Sequence, residues 1–139
     1  MTPERARELL ATARVATLAT LDREGRPKLV PICFALAGAS VWSVVDAKPK
    51  RTTELARVKN VLHDGRAAVL AHHYTEDWGE LWWVRVEGPA RVVESGPDYD
   101  QAVALLTQKY EQYRAAPPAG AAVVIEIAQL TGWAAHDTP

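Results

Sequence analysis

Sulfur is nearly absent from the sequence. A single cysteine, Cys33, closes no internal disulfide, and its place in an apolar run marks it as a small buried thiol rather than a nucleophile. Any redox chemistry must therefore come from elsewhere. No apolar stretch follows a basic start: the chain opens Met1-Thr2-Pro3-Glu4-Arg5 and charges recur through Arg14. Neither a signal peptide nor a spanning helix is expected, so the expected location is the cytoplasm, with no membrane partner. No G-x-S-x-G elbow surrounds Ser40, Ser43 or Ser95, and neither a phosphate loop nor a G-x-G-x-x-G fingerprint occurs, which removes the motif-borne hydrolases and nucleotide-binding folds. Metal spacing is missing too. His72 and His73 point to opposite faces of a strand, His63 and His136 stand far away, and no Cys or carboxylate completes a set, so no metal site is expected.

What is present is the balance of a globular protein: 48% hydrophobic and 24% charged residues in 139, enough for one domain over 1–139 with a real core. The net charge of -1 conceals an asymmetry. Up to and including Arg66 there are twelve basic and seven acidic side chains, and after it four and ten, with half of those twelve lying between Lys48 and Arg66. One basic segment in an otherwise acidic chain favours a small anionic ligand over nucleic acid, which needs a broader basic face.

Thr2-Pro3-Glu4 reads as a helix start, followed by Ala6, Leu9, Leu10 and Ala13 at helical spacing. Arg14 to Leu21 is β-rich and ends at Asp22-Arg23-Glu24-Gly25. Leu29 to Leu36 and Val41 to Val45 follow as strands separated by Ala37-Gly38-Ala39, so two hairpins succeed one another. Lys50 to Leu62 turns helical, with Leu55, Val58 and Leu62 on one face and a stop at Asp64-Gly65. Arg66 to His73 and Leu81 to Val93 are strands, the second with a bulge or bend at Gly88-Pro89. Ser95-Gly96-Pro97-Asp98 starts a helix with Tyr99, Val103, Leu106 and Tyr110 on one face. The last strand, Ala122 to Ala128, has a continuation towards Trp133. Six strands and three helices, clustered by hairpins, imply a mainly β protein: a closed antiparallel barrel with flanking helices.

Asp46-Ala47-Lys48-Pro49-Lys50-Arg51-Thr52-Thr53 places three cations and two hydroxyls where a strand gives way to a helix. A helix start already presents free N–H groups and partial positive charge, so cations there repel unless an anion shares the site. A phosphate resolves that repulsion. The same residues also read as a solvated basic turn held by Asp46 and Glu54. In Asp77 to Arg85, three of the five tryptophans fall within six residues. Trp82 and Trp83 face opposite sides of a strand, so one side is core and the other meets a subunit or a ring ligand. Pro31 lacks a ladder donor, which fits an edge, a bulge or a face approached by a ligand.

Together these stretches resemble the pyridoxamine 5'-phosphate oxidase-like superfamily, and within it the small deazaflavin branch that uses coenzyme F-420. The resemblance rests on Arg14 to Thr20, Lys28 to Phe34, Lys48-Pro49-Lys50-Arg51-Thr52 and Trp82-Trp83-Val84-Arg85, the last two being the specific ones. The sequence departs from that branch at Ala71-His72 and at Asp64-Gly65. The resemblance implies a six-stranded split β-barrel, a homodimer, and a cofactor in a groove between subunits. By it, Lys48, Lys50, Arg51 and Thr52 hold the cofactor phosphate, Val30, Pro31 and Ile32 lie along the tricyclic ring, and Trp78 closes the site from the partner subunit. The implied activity is hydride transfer from F-420 to an unsaturated or quinone-like small molecule, with Tyr74, His72 or His73 as proton donors. FMN in the same groove, or a non-catalytic cofactor or tetrapyrrole binder, are the alternatives.

Overall fold

The computed structural model describes residues 1–46 and 55–136. Helix α1 (Pro3–Thr12) is capped by the Thr2 hydroxyl, which accepts from the Arg5 amide at 3.1 Å, and it buries Ala6, Leu9 and Leu10. Strands β1 (Ala16–Leu21) and β2 (Pro27–Ile32) form a hairpin. Its turn is set by the Asp22 carboxylate, which accepts from the Glu24 and Arg26 amides at 2.9 Å each, and by Gly25 at φ +77°. A second hairpin joins β3 (Ala35–Ala37) to β4 (Ser40–Val44). Helix α2 (Ala56–His63), β5 (Arg66–His73), a 3-10 turn at Trp78–Glu80 and β6 (Trp82–Val93) follow. Helices α3 (Pro97–Lys109) and α4 (Glu111–Ala115) then precede β7 (Ala122–Glu126) and β8 (Gln129–Ala134). Among the described residues, no helix is long and apolar enough to cross a membrane.

All pairings are antiparallel, in the order β2-β1-β5-β6-β7-β4-β3, with β8 also on β6. The sheet has eight strands and is not closed, which corrects the expectation of six strands in a closed barrel. Two local events account for the count. The Leu29–Leu36 run breaks at Cys33-Phe34, because the Phe34 backbone bonds to side chains: its amide donates to the Tyr110 hydroxyl at 3.1 Å, and its carbonyl accepts from Tyr110 and Lys109 at 2.9 Å each. The expected last strand is split by a bulge. Ile125 pairs with Ala90 and Gln129 with Glu87, so Glu126, Ile127 and Ala128 stand opposite only Gly88 and Pro89. The bend expected at Gly88-Pro89 is thus the point where β6 passes from β8 to β7.

The ends of the open path, β2 and β3, are consecutive in the chain and joined by only Cys33 and Phe34. The sheet must therefore curl until its two edges meet at that corner. No ladder joins them among the described residues, and the sheet stays open there along a split. Leu18, Phe34, Val41, Val69, Val84, Val86 and Ile125 fill its interior, while α3 covers the other face of β4 and β7 with Ala102, Leu106 and Tyr110 against Trp42, Val44, Ala122 and Val124. Helix α2 buries Val58 and Val61, whereas Leu62, expected on the apolar face, is exposed. Asn60 fills the place beside them, donating to the buried Thr20 hydroxyl at 3.0 Å and fixing α2 to β1.

Candidate functional site

The split holds a cavity of about 330 Å³, near the lower end of the range for ligand pockets. The end of β2 lines it with Pro31, Ile32 and Cys33, the end of β4 with Ser43, Val44, Val45 and Asp46, the start of α2 with Leu55 and Arg57, and α4 with Tyr113. Asp46 and Leu55, which bracket residues 47–54, both face it.

Arg57 is the informative side chain. It is half-buried, and among the described residues its guanidinium makes no hydrogen bond or ion pair. Burial lowers its pKa, opposed by the nearby Tyr113 and Asp46, yet a guanidinium stays charged under all ordinary conditions. The cavity thus carries a permanent positive charge, with the exposed Asp46 carboxylate on the same wall. Burial, with smaller contributions from Cys33 and Asp46 and a side-chain hydrogen bond with Cys33, pushes the Tyr113 phenol upward and keeps it a proton donor. Ser43, by contrast, is spent, since its hydroxyl donates to the Val123 carbonyl at 2.7 Å.

A buried latch holds this wall in place. The Lys109 ammonium donates to the Ala13 and Phe34 carbonyls at 2.7 and 2.9 Å and stands 4.1 Å from the centre of the Phe34 ring. The Tyr110 hydroxyl lies 2.8 Å from the Arg14 carbonyl and 2.9 Å from that of Phe34. Burial, aided by Arg14, lowers the Lys109 pKa to about 8. Together the two side chains tie α3 to the start of β1 and to the β2–β3 corner, fixing Cys33 and Tyr113 at the cavity.

Of the residues singled out from sequence, Pro31 and Ile32 line the cavity and Val30 does not. Strand alternation turns Val30 and Ile32 towards the core and leaves Pro31 outward, so Pro31 and the strand backbone are what β2 offers a ring. Lys48, Lys50, Arg51 and Thr52 lie outside the described residues. Trp78 sits on the 3-10 turn, 77% exposed and away from the cavity. Cys33, expected to be buried, is half-exposed between cavity and helix. Arg57 and Tyr113 were missed. Arg57 was one of six basic residues between Lys48 and Arg66, and nothing in the spacing set it apart.

Trp82 packs on the core and Trp83 on the outer face, as alternation requires. There Trp83, Leu70, His72, Tyr74 and Arg85 line a shallow apolar depression of about 490 Å³, with Arg85 stacked 5.3 Å from the Trp83 ring and His72 edge-on to Tyr74 at 5.8 Å. His73 instead approaches Glu80 at 3.9 Å. Among the described residues, no group of His, Cys, Asp and Glu is placed to hold a metal ion.

Comparison with known proteins places this geometry. The family model described as pyridoxamine 5'-phosphate oxidase matches residues 2–134. No curated protein matches the sequence. Among solved structures, a conserved hypothetical protein from Mycobacterium tuberculosis superposes with a TM-score of 0.80 at 18% identity, covering 98% of this chain and 86% of its own. An FAD-binding protein from Mesorhizobium loti gives 0.71 at 17% identity, covering 95% and 94%. The heme storage protein of Vibrio cholerae gives 0.73 at 12%, covering 95% and 93%. At these identities the likeness is one of fold.

Proposed function

The chain belongs to the pyridoxamine 5'-phosphate oxidase family, and from that premise we propose that it is an oxidoreductase binding a phosphate-bearing tricyclic cofactor in the split of its barrel. Coenzyme F-420 is the cofactor we assign, with FMN as the alternative, and an unsaturated or quinone-like small molecule is the acceptor. The observation that carries this reading is Arg57, a half-buried guanidinium that makes no hydrogen bond or ion pair among the described residues, beside a cavity that opens along the outward ring of Pro31. A phosphate accepts charge-assisted bonds from such a group, and the sequence supplies Lys48, Lys50, Arg51 and Thr52 for the same anion.

When bound, such a cofactor supplies the hydride. The chain needs no nucleophile, only orientation and exclusion of water. Pro31 and the backbone of β2 present a flat, donor-poor edge to a ring. Tyr113 holds its proton beside the anion as a hydrogen-bond donor. His72 and Tyr74, paired on the outer face, are the candidate proton donors to the acceptor, and His73, turned towards Glu80, is a weaker one.

We assign the outer sheet face to a homodimer. Leu29 and Trp133 are large and exposed there, in register with Ala19 and Trp83. A second protomer on that face would bring Trp78, His72 and Tyr74 to the partner's cavity, completing a groove that one protomer leaves open.

The test is a parallel fluorescence titration of apo-protein with F-420 and with FMN, followed by turnover with a quinone. Selective F-420 binding with turnover is expected, selective FMN binding shifts the assignment to the flavin alternative, and binding of neither overturns it. The apolar depression at Leu70 and Trp83, edged by His72 and Tyr74, favours one second reading, a non-catalytic tetrapyrrole binder. That reading requires a hemin Soret shift abolished by His72→Ala or Tyr74→Phe.

A further inference from the structure

The cavity at the split does not end at Tyr113. A second cavity of about 410 Å³ shares Cys33, Asp46 and Tyr113 with it and extends to Arg14, Tyr110 and Gln112. The two form one trough, running from Pro31 past Arg57 to Arg14. Arg14 is held at the far end, its guanidinium 4.6 Å above the centre of the Tyr110 ring and one nitrogen donating to the Lys109 carbonyl at 3.0 Å. A guanidinium has five N–H donors, and among the described residues this is the one hydrogen bond Arg14 makes through its side chain. The Gln112 amide makes none among them. The far cavity is thus mostly apolar in surface, from Val15, Cys33 and the rings of Tyr110 and Tyr113, with a guanidinium, an amide and a carboxylate set into it.

We infer that the far cavity receives the part of a cofactor that lies beyond its phosphate, so that the trough favours a phosphodiester carrying a polar chain over a phosphomonoester. The inference rests on the reading above that the first cavity takes the ring and phosphate. A monoester ends at its phosphate and leaves Arg14 and Gln112 to water. A diester continues from the phosphorus away from the ring, and the two cavities adjoin at Cys33, Asp46 and Tyr113. The polar groups of such a chain find partners there, Asp46 accepting from a hydroxyl or amide N–H and Arg14 and Gln112 donating to carboxylate or carbonyl oxygens, while its methylenes lie on the aromatic walls. Asp46 is exposed, so water and salt screen it, whereas half-buried Arg57 is screened less and retains its pull on the phosphate. F-420 is a diester of this kind, FAD continues past the same phosphate through a pyrophosphate, and FMN ends there as a monoester.

The experiment measures dissociation constants of the apo-protein for FMN, FAD and F-420 in the wild type, Arg14→Ala and Gln112→Ala. F-420 is expected to bind tenfold or more tightly than FMN, with each variant losing severalfold for F-420 and nothing for FMN, and FAD reports whether a pyrophosphate extension is accepted as well. Gln112→Ala leaves the Tyr110 stack untouched, so it carries the prediction if Arg14→Ala unfolds. FMN binding as tight as F-420, or equal losses for all three ligands, overturns this inference and leaves the first cavity's assignment standing. Binding of none of the three overturns both.

Discussion

A buried charge without a partner is expensive, and proteins that keep one do so where something else completes it. Half-buried Arg57, which makes no hydrogen bond or ion pair among the described residues, approaches that case, and Lys109 shows the contrast: its ammonium is buried to a similar degree but bonded to two carbonyls and set over an aromatic ring. Burial still tells on it. Its folded pKa of about 8 lies below the ordinary lysine value of 10.5, so between those two the unfolded chain binds more protons. The stability referable to Lys109 is therefore fully present above 10.5 and is lost as the pH falls through 8. In urea unfolding, the stability of the wild type relative to Lys109→Met should rise steadily across that window. A difference that does not change with pH contradicts the assignment.

Strand β6 is the element on which the fold turns, because β5 lies along one edge and β7 and β8 share the other. The exchange happens at Gly88, where an added Cβ would overlap the Glu126 carbonyl. Gly88→Ala must displace backbone, and we expect a loss of about 1–3 kcal/mol or more in urea unfolding; wild-type stability would show that the bulge does not fix the crossing. This bulge also marks how far the sequence could be read. Alternation at Arg14–Leu21 and Arg66–His73 is local, so those strands and their hairpins were legible. The breaks at Cys33-Phe34 and at Ile127-Ala128 were not, because each depends on a distant partner: Tyr110 in one case and Glu87, which accepts from the Ala128 amide at 3.0 Å, in the other. The site follows the same rule. Pro31 announced itself by lacking a donor, whereas Arg57 and Tyr113 meet only after the barrel curls and α4 folds back upon it.

For the whole molecule, the open path of the sheet determines where function can reside. A sheet whose two edges are joined by two residues leaves a slot beside the joint, and the cavity occupies that slot. Its other consequence is an outer face with Leu29 71% and Trp133 44% exposed. We expect light scattering to report a dimer and Leu29→Asp to report the monomer mass with the circular dichroism of the wild type; a wild-type monomer would remove the shared groove. The central claim, that Arg57 holds the phosphate of a ring cofactor at the split, is tested most directly by titrating wild type and Arg57→Met with FMN and with riboflavin, which lacks the phosphate. A charge-assisted hydrogen bond contributes about 1.5–3 kcal/mol, so Arg57→Met should weaken FMN roughly tenfold to a hundredfold and leave riboflavin unchanged. Equal affinity of both proteins for FMN, or an equal loss for the two ligands, would contradict it.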